Sequence, residues 1–291
     1  MDAKKTGVLA ILAASVMWAV EPILTKVAAR STDFLQIATT RSAVSALVAL
    51  GYVCLTNRGD LRVPRRHVPA IVYIGVAGTV VADLLYVLSL TKIPVINAVL
   101  LGHMQPIFIV LIGFLFLKED RLTVFDYFGV LLMVVAGLLV TTKTPANLSA
   151  LRLGSSGDLL VLVATFVWAT TAVVMRKYLR ELNAGVLVFY RFLIGAVALG
   201  TYVAATGQLA VRSVHQVLVG VVVGVGSVLY YEGLKRIKAA QVSALELSTP
   251  FFAAALAYFV LNESFTAMQV VGIILLVPGI HLLSRKEEAY F

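Results

Sequence analysis

The sequence predicts an all-α integral membrane protein of ten transmembrane helices, arranged as two inverted five-helix repeats over residues 1–145 and 146–291. Three observations predict it: an apolar composition, a one-sided distribution of basic residues, and a repeat at constant offset. Hydrophobic residues fill 60% of the 291 positions and charged residues only 13%, and the mean hydropathy is +0.95. A soluble domain carries about 25% charged residues, so this composition points to lipid as the solvent. A bilayer core needs roughly 20 apolar residues per helical crossing.

Charges and turn residues mark the helices in order. Helix 1 (7–29) follows Lys4-Lys5 and ends before Arg30, and helix 2 (34–56) runs from Asp33 to a basic loop at 57–68. Helix 3 (69–90) stops before Lys92, helix 4 (95–117) lies between Pro94 and Lys118-Glu119, and helix 5 (123–142) ends at Lys143. Helix 6 (157–179) ends near Arg176-Lys177, helix 7 (184–206) follows Asn183, and helix 8 (214–234) runs from Arg212 to Lys235-Arg236. Helix 9 (239–261) ends at Asn262-Glu263, and helix 10 (266–283) precedes Arg285-Lys286. The apolar run after Lys4-Lys5 lacks a small-residue cleavage site near its middle and has a second copy later, so it reads as a retained helix.

Sixteen of the 24 Lys and Arg fall on the side shared by both termini, six fall on the other, and Arg41 and Arg191 lie within spans. The positive-inside rule then puts both termini in the cytoplasm. The net charge of +9 reflects this membrane sidedness and not a nucleic-acid surface. The single cysteine, Cys54, excludes an intrachain disulfide and reads as a packing residue.

The repeat is visible by eye. Gly7, Ser15, Trp18-Ala19, Lys26 and Arg41 recur 150 residues later as Gly157, Thr165, Trp168-Ala169, Arg176 and Arg191. Tyr86, Lys92-Ile93, Pro106 and Glu119 recur 144 residues later as Tyr230, Arg236-Ile237, Pro250 and Glu263. Each repeat has an odd number of helices, so the second enters the membrane upside down, an arrangement suited to alternating access.

These motifs resemble the drug/metabolite transporter superfamily, specifically its ten-helix EamA-type members. The resemblance is carried by Trp18-Ala19 with Lys26, Trp168-Ala169 with Arg176, Arg41 and Arg191, and the two Pro-x12-Glu arrangements. It implies an inner-membrane exporter of amino acids or other small metabolites, and the chain is most similar to the amino-acid exporter branch. Two departures stand out. Glu21-Pro22 occupies a place where small polar residues are commoner in the family. Ser15 stands near the position of the helix 1 acid of small multidrug relatives, so the resemblance carries no proton coupling through it.

Ionisable groups within a span are costly and mark function or a paired contact. Depth arithmetic at 1.5 Å per residue predicts an outer ionic cluster Glu21–Arg41–Asp83 and an inner pair Arg191–Glu246. Between them a mid-membrane substrate cavity is expected, lined by Trp18, Tyr86, His103, Gln105, Trp168, Tyr230 and Glu246. Asn97, Leu101 and Gln105 share a helix face and read as a cavity wall. Pro106 and Pro250 are candidate hinges of helices 4 and 9. Glu119 and Glu263 read as end caps or interfacial pairs, and Glu232 with Arg236 as an ion pair four residues apart. Gly129 and Gly137 permit close helix contacts, within the chain or in a homodimer.

No zinc-binding His pair, nucleophile elbow or phosphate-cradling loop is present. The expectation is a non-enzymatic secondary carrier without cofactor or metal, whose partners are a small-molecule substrate and the lipid bilayer. The alternatives are a proton-coupled cationic drug exporter using Glu246 or Asp83 as counter-charge, and a membrane receptor or enzyme that binds without net flux.

Overall fold

The structure is a computed structural model that describes residues 3–56, 59–112, 124–151, 154–179, 181–237, 242 and 245–284. The described residues are helical and contain no strand. This is what a bilayer demands, since a helix satisfies its own backbone polar groups where water is absent. Seven helical stretches are long and apolar enough to cross a membrane, and three shorter apolar helices accompany them at Tyr127–Thr142, Ser248–Leu261 and Ala267–Leu282. The chain is a multi-pass membrane protein.

Helix α1 spans Ala3–Ala28 and α2 spans Phe34–Thr56. Helix 3 begins earlier than the hydropathy predicts, because a 3-10 turn at Arg65–His67 leads directly into α3, Val68–Tyr73. The rod continues through a π-helical segment, Ile74–Asp83, into α4, Leu84–Leu90. The π register buries Gly75, Gly78, Thr79, Ala82 and Asp83 on one flank. Hydropathy does not register such a segment, and π-turns of this kind recur at functional sites.

Predicted helix 4 is two helices, α5 (Val95–Gly102) and α6 (Gln105–Ile112), parted by a turn at His103–Met104. Predicted helix 9 likewise has a turn at Leu247 before α12, Ser248–Leu261. Each break lies just ahead of a proline, Pro106 or Pro250. A proline lacks an N–H and crowds the carbonyl four residues back, so the ladder fails upstream of the ring. Residues 113–117 of predicted helix 4, Glu119 with them, lie outside the described residues.

The remaining elements are α7 (Val124–Thr142), a short α8 (Pro145–Ser149), α9 (Ser156–Tyr178), α10 (Ala184–Ala205), α11 (Val214–Leu234) and α13 (Ala267–Ser284). Several starts are capped as their sequences require. Ser155 and Asp158 form a capping box on α9, Ser213 and Gln216 one on α11, and Asn183 caps α10.

Helix α1 packs on α11 and α12, α2 on α10 and α11, and the π segment on α9 and α10. Helix α9 also packs on α4, α5 and α6, while α7 pairs with α13. The small residues of α7 serve this last contact within the chain: a Cβ on Gly279 would lie 2.7 Å from Met133 Cγ and 3.3 Å from the Gly129 carbonyl. Gly137 is filled from α5–α6, its Cβ position lying 2.7 Å from Met104 Cε.

Three polar side chains cross-link buried helices. Asn97 donates to Asp158 at 2.9 Å and accepts from Gln269 at 2.7 Å. Asn97 is fully buried and Leu101 is 1% exposed, so they do not form the predicted cavity wall with Gln105. The spacing placed the three on one face correctly, but that face packs against α9 and neighbouring helices. Cys54 also departs from expectation: it is exposed near the end of α2.

Candidate functional site at the centre of the helix bundle

Buried charges organise the middle of the molecule. Glu21, Arg41 and Asp83 are 6%, 4% and 1% exposed, on α1, α2 and the end of the π segment. Arg41 Nη2 lies 2.9 Å from Glu21 Oε1, and Arg41 Nη1 lies 2.8 Å from Asp83 Oδ2. The predicted cluster Glu21–Arg41–Asp83 therefore forms.

The predicted inner pair Arg191–Glu246 does not form, because Arg191 turns to Asp83. Its Nη2 lies 3.2 Å from Asp83 Oδ1 and 3.4 Å from Oδ2, and its Nε donates to Thr79 Oγ1 at 3.3 Å. Both arginines thus meet one carboxylate. Depth arithmetic separated them because it treats each span as straight and ignores the reach of a guanidinium. Asp83 receives a further donor, Trp168 Nε1, at 2.8 Å. Two carboxylates facing two guanidiniums leave the cluster formally neutral, the condition under which buried charges are tolerated. Glu246 is half-buried one residue before the break at Leu247.

Aromatic rings flank the charges. Trp18 packs on Tyr230 with centroids 4.9 Å apart, and Trp168 on Tyr86 at 5.2 Å. Partners are exchanged between positions related by offsets of 150 and 144. The same exchange occurs at the helix ends. A Cβ on Gly7 would sit 2.8 Å from Ile237 Cγ2, and one on Gly157 2.6 Å from Ile93 Cγ2. Only glycine admits so close an approach, which fixes how α1 meets the end of α11 and how α9 meets the end of α4.

The structure adds residues the sequence did not single out. Phe192 is fully buried, and the Arg41 and Arg191 guanidinium carbons lie 5.9 and 5.1 Å from its ring centroid. Such cation–π contacts soften the cost of burying both charges. Tyr231 lies beside Arg191 and donates its hydroxyl to Met175 Sδ at 2.7 Å. Adjacency to Arg191 and Tyr230 was the only sequence signal for either residue.

His103 sits at the break between α5 and α6. Its Nδ1 lies 2.8 Å from the Val99 carbonyl, and the Glu246 backbone lies beside the ring. The His103 side chain therefore lies where the two broken helices approach each other. Gln105 and Pro106 are half-buried and Pro250 is buried. Near the opposite ends of α1 and α12, Lys26 Nζ lies 2.6 Å from Glu263 Oε1, and Glu263 Oε2 accepts the Val95 N–H at 2.8 Å. Glu263 thus caps α5, as a carboxylate at a helix N-terminus should. Its sequence counterpart Glu119 lies outside the described residues. The expected Glu232–Arg236 ion pair forms.

A surface groove of about 1050 Å³ lies elsewhere, between the 59–63 loop and Val68, Ile71, Val72, Tyr190 and Ile194. It does not include the predicted cavity residues. The described residues contain no grouping of His, Cys, Asp and Glu able to hold a metal ion.

A multi-pass helical membrane protein with a neutral charge cluster and broken helices at its centre has the make-up of a transporter. The chain belongs to the EamA-like transporter family, whose pattern matches residues 5–142 and again 155–285. An uncharacterized transporter of Methanothermobacter thermautotrophicus is 24% identical over 232 residues, 78% of this chain and 67% of its own. The uncharacterized transporter YyaM of Bacillus subtilis is 24% identical over 256 residues, 82% of this chain and 81% of its own. The pseudopaline exporter CntI of Pseudomonas aeruginosa is 33% identical over 143 residues, about half of each chain (49% and 48%). One solved crystal structure matches with a TM-score of 0.67 over 97% of this chain and 98% of its own at 19% identity, a likeness of fold alone.

Proposed function

We propose that this protein is a secondary carrier that exports small metabolites, with amino acids bearing aromatic or bulky apolar side chains as its preferred cargo. In this reading ten spans form two inverted five-helix repeats, residues 1–145 and 146–291, and the two conformations of alternating access arise when the repeats exchange shapes. The observation that carries it is the crosswise contact of repeated residues, Trp18 on Tyr230 and Trp168 on Tyr86, around the cluster that joins Asp83 to Arg191. The substrate cavity lies against Trp18, Tyr86, His103, Gln105, Trp168, Tyr230 and Glu246. Pro106 and Pro250 are the hinges, and Glu21, Arg41, Asp83 and Arg191 hold the halves together. The distribution of basic residues supports an orientation with both termini cytoplasmic, in the cell's inner (plasma) membrane. A relative named as an exporter supports outward transport.

A cationic drug exporter would want a carboxylate free to meet its cargo. Of its two candidate counter-charges, Glu246 and Asp83, Asp83 is instead paired with two guanidiniums, so this reading has less support. Purified protein in liposomes preloaded with labelled amino acids is the test. Saturable release is expected, and a broad amino-acid panel without flux would remove the carrier reading. Trp18→Ala, His103→Ala and Glu246→Gln should each lower flux about tenfold or more, the usual scale for losing one good contact. Normal transport by all three would put the cavity on other faces.

A further inference from the structure

We infer that the Asp83–Arg191 pair is a charge-exchange site: a zwitterionic substrate replaces it, its ammonium group going to Asp83 and its carboxylate to Arg191. The inference rests on the carrier reading and deepens it by assigning both ends of the cargo.

The argument starts from where the four charges reside. Glu21, Arg41 and Asp83 belong to residues 1–145, and Arg191 alone comes from the later part of the chain. The acids also have no counterparts, since the positions 150 after Glu21 and 144 after Asp83 are Thr171 and Ser227. Within the cluster, Glu21, Arg41 and Asp83 form a sealed block with side chains 8%, 5% and 2% exposed, while the Arg191 side chain is the most open at 15%. The contacts differ in the same sense. Arg41 meets Asp83 at 2.8 Å and Glu21 at 2.9 Å, whereas Arg191 meets Asp83 at 3.2 Å.

The sealed block carries two carboxylates and one guanidinium, a net single negative charge, and Arg191 is its counter-cation. Any motion that parts the two segments at this point separates Asp83 from Arg191. It leaves one uncompensated charge of each sign facing the opening. Isolated buried charges are strongly unfavourable, so the opened state selects a ligand with one charge of each sign at close spacing. A zwitterion restores neutrality on both sides, while a cation or an anion restores it on one side only. Two features favour the exchange. Arg41, which belongs to the same segment as Asp83, holds the Asp83 carboxylate in place after Arg191 leaves. Arg41 Nε, itself buried, has no acceptor among the described residues, so the cluster retains an unused donor. With no ligand bound, Asp83 and Arg191 re-pair and the centre closes neutral.

Trp18 and Trp168 are the two tryptophans of the chain, and Trp168 bonds Asp83 directly, so intrinsic fluorescence of the detergent-purified protein reports on the site. The probes are L-phenylalanine as zwitterion, protonated L-phenylalaninamide as cation and N-acetyl-L-phenylalanine as anion. Wild type should bind the zwitterion most tightly. Arg191→Gln should shift preference toward the cation, and Asp83→Asn toward the anion, each by about tenfold relative to the zwitterion. The double variant Asp83→Asn with Arg191→Gln is neutral and should lose its preference among the three. If a single variant fails to elute as a monodisperse species, the double variant decides, and a retained zwitterion preference overturns the inference. Equal losses for all three probes, or no binding of any of them by wild type, also overturn it. Liposome flux separates the two readings. Wild-type flux of L-phenylalanine with no switch in the variants sinks the exchange site and leaves the carrier. A switch in binding without flux of any amino acid sinks the carrier and leaves the site.

Discussion

Arg41 is the residue on which the centre of the molecule depends. It faces both Glu21 and Asp83 at about 3 Å, with all three almost wholly buried. Replacing it by alanine leaves two carboxylates with one guanidinium between them, so Arg41→Ala should destabilise the protein by about 3–5 kcal/mol, the scale for breaking a buried pair by removing one partner. Unfolding of the purified protein in detergent, followed by tryptophan fluorescence, measures this. A variant as stable as wild type would mean that the acids are neutralised some other way. Arg41→Lys should recover only part of the loss, since an ammonium cannot span two carboxylates as a planar fork does. Arg41 and its partners were legible in the sequence because charges inside apolar runs are few. Phe192 and Tyr231 were not, because an aromatic residue in a membrane helix has many uses and only the packing reveals which one applies.

Helix junctions and breaks set the next scale. Gly157 admits Ile93 so closely that a Cβ would overlap it at 2.6 Å. Gly157→Leu should therefore push α9 away from the end of α4 and cost about 1–3 kcal/mol as overpacking. Comparing its melting temperature with that of Gly51→Leu, where a Cβ meets nothing within 4 Å, tests the point. The breaks at His103–Met104 and Leu247 belong to the same scale. If these helices bend during transport, Pro106→Ala and Pro250→Ala restore the missing N–H and stiffen them. Flux should fall about tenfold, as when a gating step becomes rate-limiting, while the melting temperature holds or rises. Unchanged flux would make the kinks static. The prolines signalled both breaks in the sequence. The π segment had no such signal, since its glycines and β-branched residues weaken an α-helix without specifying a π register, and it packs on α9 and α10.

At the scale of the whole molecule, orientation and coupling are the open tests. With ten spans, sixteen of the 24 basic residues would fall on the side of the termini, which leads to the expectation that a C-terminal green fluorescent protein fusion fluoresces and a C-terminal alkaline phosphatase fusion is inactive. The opposite result would reverse the orientation and with it the direction assigned to transport. The chain matches its family pattern twice, over 5–142 and 155–285, which accords with the offsets of 150 and 144 in the sequence.

The sequence by itself determined that the chain lives in a membrane, that it contains the same motifs twice, and which charges lie inside apolar runs. These properties follow from composition and spacing, because a charge inside an apolar run must be compensated whichever partner supplies the compensation. Which charges meet was decided only by the tertiary structure. Arg191 was paired with Glu246 on depth and is found on Asp83, and Asn97 was assigned to a cavity and is found tying Asp158 to Gln269. The physical reason is the same in both cases. A depth along one helix says nothing about the tilt, the π register or the reach of a guanidinium, and those three decide which partners come within hydrogen-bonding distance.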